Sequence, residues 1–240
     1  STVIKSLLLD LIFPRRCVGC SIHIESAAKS HLCENCVDKI KTIDTKKCFF
    51  CGARDSNGNT CFLCRKRHSL DGLIAMSAYS QPLVQKIIKG LKYRLVQDLG
   101  PAIGSIIANH IDQIRLAQSL DRTSSAIVPV PLFRRRYNER GFNQSHLIAR
   151  ELSSHFQIPL RNDFVVRTKY GTPQADVADH NLRSKNIENV FSVPDHDGPM
   201  PAHIILVDDV VTTGSTLNAC ARTLKEAGVT RVTAIVFAKG

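Results

Sequence analysis

No stretch of the 240-residue sequence approaches the roughly 18 uninterrupted apolar residues that a membrane-spanning helix needs. Neither a GxxxxGK[ST] phosphate loop nor a GxGxxG dinucleotide fingerprint occurs, so Walker-type nucleotide hydrolysis and Rossmann-type redox chemistry are not indicated. The opening segment, STVIKSLLLDLIFP, starts at Ser1 without an initiator methionine. Its apolar run is broken by Asp10 and followed by Arg15 and Arg16 instead of a small-residue cleavage site, which argues against a secretory signal. A cytoplasmic chain is therefore expected, and in a reducing compartment cysteines serve as metal-bound thiolates sooner than as disulfides. Acidic residues are scarce: 21 Asp and Glu stand against 32 Lys and Arg, a net charge of +11. Residues 1–70 hold 12 basic and 6 acidic side chains, residues 71–240 hold 20 and 15, so the N-terminal part is the more basic per residue. That balance favours an anionic partner such as nucleic acid or a phosphorylated substrate.

Eight of the nine cysteines lie between Cys17 and Cys64, and only Cys220 falls outside. They form four CxxC pairs: Cys17/Cys20, Cys33/Cys36, Cys48/Cys51 and Cys61/Cys64, separated by 12, 11 and 9 residues. A CxxC knuckle puts two thiolates on one side of a tight turn, and two knuckles complete a closed four-sulfur site, the structural zinc pattern. Two Zn2+ sites are expected, paired sequentially because each then closes a short loop; a cross-braced arrangement is the alternative. A segment of about 50 residues with few large apolar side chains cannot build a sufficient core, so metal binding supplies folding energy on the order of 10 kcal/mol per site. The basic loops RKRHS (65–69) and KKC (46–48) could touch phosphates, a solvated charged surface being the alternative for each, and Phe49, Phe50 and Phe62 offer only modest stacking capacity. Ahead of them, Val3, Ile4, Leu7, Leu8, Leu11 and Ile12 recur at helical spacing, as in a helix docked on the protein's own body.

From Leu73 onward the pattern alternates. Strands are expected over 73–79, 126–130, 164–167, 203–208 and 231–237, with helices over 82–93, 98–116, 144–156 and 215–227. Near-continuous apolar strands such as HIILV and TAIVF imply a mostly parallel sheet with helices on both faces, whose ligands bind beyond the carboxyl ends of the strands. The expected domains are residues 1–70, a helix plus the double-zinc region, and residues 71–240.

Three polar segments follow expected strands. PLFRRRYNERGFNQS (131–145) sets Arg134, Arg135, Arg136, Arg140 and Gly141 in a loop ahead of a helix that starts at Asn143 or Ser145, a site for a densely charged anion such as pyrophosphate. The long polar stretch 167–191 reads as a lid or binding loop, with Lys169, Gln174 and Arg183 as its ligand-facing groups. The third is ILVDDVVTTGST (205–216). After a buried strand come Asp208 and Asp209, then Val210 and Val211, then Thr212, Thr213, Gly214, Ser215 and Thr216 opening a helix that Gly228 stops. Amides and hydroxyls of 212–216 can surround one phosphate, and Gly214 permits the turn. The acids repel phosphate, so they take hydroxyls or a metal. A ribose 5-phosphate satisfies both halves.

The stretch IILVDDVVTTGST closely resembles the phosphoribosyl diphosphate (PRPP) motif of type I phosphoribosyltransferases. Together with VPVPLFRRRYNERGFNQS, RTKYGTPQ…LRSKN…NVF and the N-terminal CxxC array, it resembles the ComF/GntX family of competence-associated, phosphoribosyltransferase-like proteins across nearly the whole chain. The resemblance implies a type I phosphoribosyltransferase fold behind a small double zinc-ribbon-like domain. It places Asp208 and Asp209 on the ribose hydroxyls, Thr212 to Thr216 on the 5-phosphate with Mg2+ accompanying PRPP, and the arginine segment, Arg140 included, where such enzymes hold pyrophosphate. The 167–191 stretch would match their flexible catalytic loop. It further implies handling of incoming single-stranded DNA in natural transformation, DNA-uptake machinery as partners, and a cytoplasmic chain at most peripheral to the inner face of the membrane. Transfer of phosphoribosyl from PRPP to an acceptor is the alternative. Glutamine-dependent amidation is not expected, since no cysteine stands at the extreme N-terminus as a nucleophile.

Overall fold

A computed structural model describes residues 15–25, 30–55, 57–94, 96–114, 121–168, 190–196 and 198–240. The helix expected over residues 3–12 and the loop residues Lys169, Gln174 and Arg183 lie outside these ranges. The cysteine region carries two single-turn helices, α1 (Glu34–Val37) and α2 (Phe62–Arg65). Beyond it run β1 (Gly72–Ala78), α3 (Pro82–Tyr93), α4 (Leu99–Gln113), β2 (Ser125–Pro129), α5 (Arg134–Arg140) and α6 (Gln144–Phe156). They are followed by β3 (Val166–Arg167), β4 (Phe191–Ser192), β5 (His203–Val211), α7 (Ser215–Glu226) and β6 (Arg231–Lys239). Among the described residues no helix is long and apolar enough to cross a membrane.

Strands β1, β6, β5 and β2 lie side by side in that order, every pairing parallel. Such strands are covered on both faces, which is why His203 through Val207 are all buried and the run HIILV shows no polar alternation. On one face Met76, Ile127, Ile205, Val207 and Phe237 meet the apolar stripes of α3, α4 and α6. The stripe of α3, Val84, Ile87, Ile88 and Leu91, has helical spacing, and Pro82 at its first turn fixes the entry dihedral. On the other face Ala126, Val128, Ile204, Leu206 and Val236 meet Leu217, Cys220 and Leu224 of α7, with Phe164 and Phe191 closing the side.

The cysteine region builds no separate core among the described residues; its apolar side chains join these two clusters. Cys17, Ile24, Leu32, Cys36 and Ile40 belong to the cluster of α3, α4 and α6, whereas Phe49 and Phe50 pack against the α7 cluster. Between them the chain covers the outer edge of β1: Ile43 N–H donates to Met76 O at 2.9 Å and Leu73 N–H to Gly58 O at 3.0 Å. That edge would otherwise present unpaired backbone groups to other chains.

Three expectations are corrected. Residues 164–167 do not form a further sheet strand: Phe164 and Val165 are buried in the core, and only Val166–Arg167 pairs, antiparallel, with Phe191–Ser192 outside the main sheet. The arginine segment is a helix, not a loop. Strand β5 runs three residues past its expected end at Asp208, so Asp209 also lies within the strand and pairing continues through Val211.

Helices α4 and α6 approach closely because Gly100, Gly104 and Ala108 repeat at four-residue spacing on α4. A Cβ on Gly104 would stand 2.5 Å from Glu151 Cβ and 3.0 Å from Ile148 O. We predict that Gly104→Ala lowers stability by about 1–2 kcal/mol, steric overlap exceeding the helix-propensity gain. Urea denaturation should show a lower midpoint with an unchanged slope.

Candidate functional site

The carboxyl end of β5 brings the acids to the mouth of the sheet. Asp208 Oδ1 accepts hydrogen bonds from Ser145 Oγ and from the Asp209 amide, both at 2.8 Å. Ser145 is free for this because Asn143 is the cap of α6: its side-chain oxygen accepts from the Ser145 amide at 3.0 Å, and its Nδ2 donates to Val130 O at the end of β2. Asp209 is 5% exposed, and its Oδ2 lies 2.9 Å from Lys92 Nζ, at the end of α3. The approach is a charge contact more than an aligned hydrogen bond. Burial, reinforced by the adjacent Asp209, pushes the Asp208 carboxyl up to about 7; Ser145, the Asp209 amide and Lys92 oppose that rise.

Val210 and Val211 continue the strand, and their side chains pack against the two core clusters. The chain then turns. Thr212, Thr213, Ser215 and Thr216 are exposed around a buried Gly214 whose φ is 78°, in the left-handed region that favours glycine. Thr213 Oγ1 donates to Ser215 Oγ at 3.0 Å and accepts from the Ser215 amide, while α7 departs directly from the turn. The result is a ring of hydroxyls at the start of a twelve-residue helix, two residues of strand away from a carboxylate pair.

The four arginines lie on α5, none of whose residues is buried: Arg134, Arg135 and Arg136 are exposed and Arg140 is half-buried. With no apolar periodicity, α5 is held locally. Arg135 Nε donates to Glu139 Oε1 at 2.9 Å, and Gly141, at φ 74°, ends the helix by donating its amide to Tyr137 O. The Arg140 guanidinium lies 5.6 Å from the Tyr93 ring centroid, next to Lys92, which joins α5 to the rim of the acid site.

Three residues escape sequence reasoning. Lys92 and Ser145 carry no signal of their partners, which lie over 60 positions away. Arg167 ends the apolar stretch FVVR and reads there as the start of a polar loop. In the fold its guanidinium sits 5.6 Å from the Phe191 ring centroid and 5.9 Å from that of Phe133. Its Nε is buried with no hydrogen-bond partner among the described residues, and burial lowers its pKa, with the charge of Arg136 lowering it further and that of Asp208 opposing.

The cysteines pair sequentially. Cys17, Cys20, Cys33 and Cys36 form one group and Cys48, Cys51, Cys61 and Cys64 another, the sulfurs of each within 4.8 Å of one another. The contacts Cys17–Cys36 at 3.6 Å, Cys20–Cys33 at 3.7 Å and Cys51–Cys61 at 3.6 Å fit a tetrahedron around an ion about 2.3 Å from each sulfur. All four knuckles close alike, with the amide four residues on donating to the first cysteine's carbonyl: Ser21 to Cys17, Val37 to Cys33, Gly52 to Cys48 and Arg65 to Cys61.

Residues 8–68 match the double zinc ribbon domain and residues 143–240 the phosphoribosyl transferase domain. Competence protein F of Haemophilus influenzae is 31% identical over 225 residues, covering 92% of this chain and 95% of that protein. The chain belongs to the competence protein F family. Other relatives of this ComF-family chain are the DNA utilization protein YhgH of Escherichia coli, 30% identical over 84% of this chain and 87% of that protein, and competence protein ComFC of Bacillus subtilis, 28% identical over 82% and 79%. The ComF chain thus has a phosphoribosyltransferase fold preceded by a double zinc ribbon.

The raised pKa of Asp208 has a consequence for stability. The folded chain holds the Asp208 proton more tightly than the unfolded chain, whose carboxyl titrates near 3.8, so stability falls as pH rises from there through about 7. Asp208→Asn should therefore raise the melting temperature at pH 8, and the gain should disappear as pH falls to about 4. Thermal denaturation of both proteins across that range checks it.

Proposed function

We propose that this chain binds PRPP, or a related ribose 5-phosphate, at the carboxyl end of β5, and that its basic zinc region handles incoming single-stranded DNA in natural transformation. The carrying observation is the adjacency of a carboxylate pair, the half-buried Asp208 held by Ser145 and the buried Asp209 held by Lys92, and an exposed hydroxyl ring at a helix start. In this reading the amides and hydroxyls of Thr212 to Thr216 take the 5-phosphate, which the helix start favours. Asp208 and Asp209 accept the ribose hydroxyls. Protein donors among the described residues engage only Oδ1 of Asp208, which leaves Oδ2 for the ligand. The exposed guanidinium groups of α5, with Arg140, face the ligand's pyrophosphate. Magnesium, when bound with that pyrophosphate, neutralises its charge and stabilises it as a leaving group. The two four-cysteine groups hold one zinc ion each as structural sites.

The relatives' names, competence protein and DNA utilization protein, support the second half of the reading. So does the surface of the second ribbon, where Phe62 is 75% and Leu63 71% exposed beside Arg65, Lys66 and Arg67. Lys66 Nζ lies 4.9 Å from the Phe62 ring centroid. An exposed ring among cations suits a single strand, whose bases stack while its phosphates meet the charges.

Catalysed transfer of phosphoribosyl is favoured by one feature, the half-buried Arg167, whose Nε has no hydrogen-bond partner among the described residues and which lies near the charge of Asp208. A guanidinium already partly desolvated and held in place stabilises a departing pyrophosphate with less reorganisation.

Two predictions follow from the proposal. Calorimetry should show PRPP binding with magnesium, weakened at least about tenfold by Asp208→Asn combined with Asp209→Asn, since each lost charged hydrogen bond costs about 1.5–3 kcal/mol. No binding by the intact chain, or an unchanged variant, would overturn the site assignment. Fluorescence anisotropy with an oligothymidylate strand should show affinity that falls with salt and drops about tenfold in Phe62→Ala. Equal binding by that variant would move the interface elsewhere.

A further inference from the structure

The hydroxyl turn is backed by the second zinc knuckle. Phe49 and Phe50 are the two residues between Cys48 and Cys51, and Phe49 lies against the apex of the turn: a Cβ on Gly214 would stand 2.9 Å from Phe49 Cε1 and 3.4 Å from Phe50 Cε1. Gly214 is thus buried by the ribbon, whereas its four neighbours in the turn are exposed. The ribbon is tied down around this contact. Phe50 stacks face to face on His68 at 3.6 Å and meets Phe49 edge-on at 5.3 Å, while Lys239 Nζ, at the end of β6, sits 4.8 Å from the Phe49 ring centroid. The amides of Ser69 and Leu70, just past the last knuckle, both donate to Asn218 Oδ1, one turn into α7. Phe49 and Phe50 pack against the cluster that contains Val211 and Leu217, the apolar residues flanking the turn on either side. The first four-cysteine group has no such relation: Cys17 and Cys36 sit in the cluster on the opposite face, and Gly19 and Val18 pack on Leu83 and Gly90 of α3.

We infer that Phe49 is a positioning residue for the anion-binding turn, and that metal loading of the second four-cysteine group is thereby coupled to ligand binding at Thr212 to Thr216. The cysteines fix the Cys48–Cys51 knuckle, the knuckle fixes Phe49, and the ring packs on the Gly214 backbone in its left-handed conformation. The ring fits only because residue 214 has no side chain. Coupling of this kind is reciprocal: a ligand that favours the ordered turn must tighten the second metal site by the same factor. The ligand arm of the inference rests on the ribose 5-phosphate reading above; the mechanical link between knuckle and turn does not.

The test uses the full chain with two zinc ions bound, ribose 5-phosphate without magnesium as the probe, and Phe49→Leu alongside Phe49→Ala, each checked for two zinc ions per chain. Hydrogen exchange of peptides covering 211–218 should quicken about tenfold in Phe49→Ala and less in Phe49→Leu, with peptides from α4 unchanged. Ribose 5-phosphate affinity should fall about tenfold in Phe49→Ala and recover in part in Phe49→Leu, a coupling of ordinary size. Zinc transfer to a chromophoric chelator should occur in two phases, and saturating ribose 5-phosphate should slow one of them, an effect absent in Phe49→Ala. Unchanged exchange over 211–218 in both variants would overturn the positioning role. Ligand-insensitive zinc release in a chain that does bind the ligand would overturn the coupling. Failure of the wild-type chain to bind ribose 5-phosphate would instead remove the ligand reading, and the exchange arm would still decide the role of Phe49.

Discussion

Two carboxylates on adjacent residues at the end of an apolar strand repel each other and lose solvation, so the site depends on what holds them. In β5 the alternation of side chains sends Asp209 toward α3, where Lys92 meets it, and leaves Asp208 to Ser145 at the start of α6. Each acid is thus tied to a different helix, and both helices lie on one face of the sheet. Removing either tie would leave a buried charge uncompensated, which costs far more than an exposed ion pair contributes. Burial and the neighbouring Asp209 raise the pKa of Asp208 against the opposing pull of Ser145 and Lys92. A site that keeps carboxylates under electrostatic tension is suited to a ligand that brings hydroxyls and cations.

The double ribbon is an integral part of this arrangement. Its first half packs on α3, the helix that carries Lys92, through close contacts of Val18 and Gly19 and a hydrogen bond from Lys86 Nζ to Gly19 O. It is further pinned by Arg15 and His31, both on Asp98 at the start of α4. Its second half packs on the turn before α7. The chain between the halves closes the edge of β1. The helix that carries Lys92 is thereby backed by the first four-cysteine group, and the hydroxyl turn by the second. A short segment that cannot form its own core obtains one by sharing the core of its neighbour, while its four-cysteine knuckles pack against the elements that neighbour presents.

The sequence carries much of this organisation. Sequential pairing of the knuckles follows from short loops between CxxC pairs, and the groups Cys17–Cys36 and Cys48–Cys64 bear it out. The α3, α6 and α7 boundaries follow from apolar stripes with a proline, an asparagine cap and a glycine turn. Local signals fail where the structure is decided at a distance. The arginine segment has no buried face, so no periodicity marks it as helical, although the cap at Gly141 and the Arg135–Glu139 spacing are visible afterwards. Lys92 is one basic residue among many in α3 until the sheet brings Asp209 to it. Phe49 reads as a stacking candidate in a basic loop, and only the fold shows its ring spent on Gly214, which leaves Phe62 as the exposed aromatic of that ribbon.

The central claim is that the acids and the hydroxyl turn form one site for a single ribose 5-phosphate. A crystal structure of the full chain with PRPP and magnesium measures that directly. The account predicts phosphate oxygens within hydrogen-bond distance of the amides and hydroxyls of Thr213 to Thr216, and ribose hydroxyls on Asp208 and Asp209, with the Lys92 contact retained. A ligand seated away from β5, or one whose phosphate lies on the arginines of α5 while the turn stays empty, would contradict it.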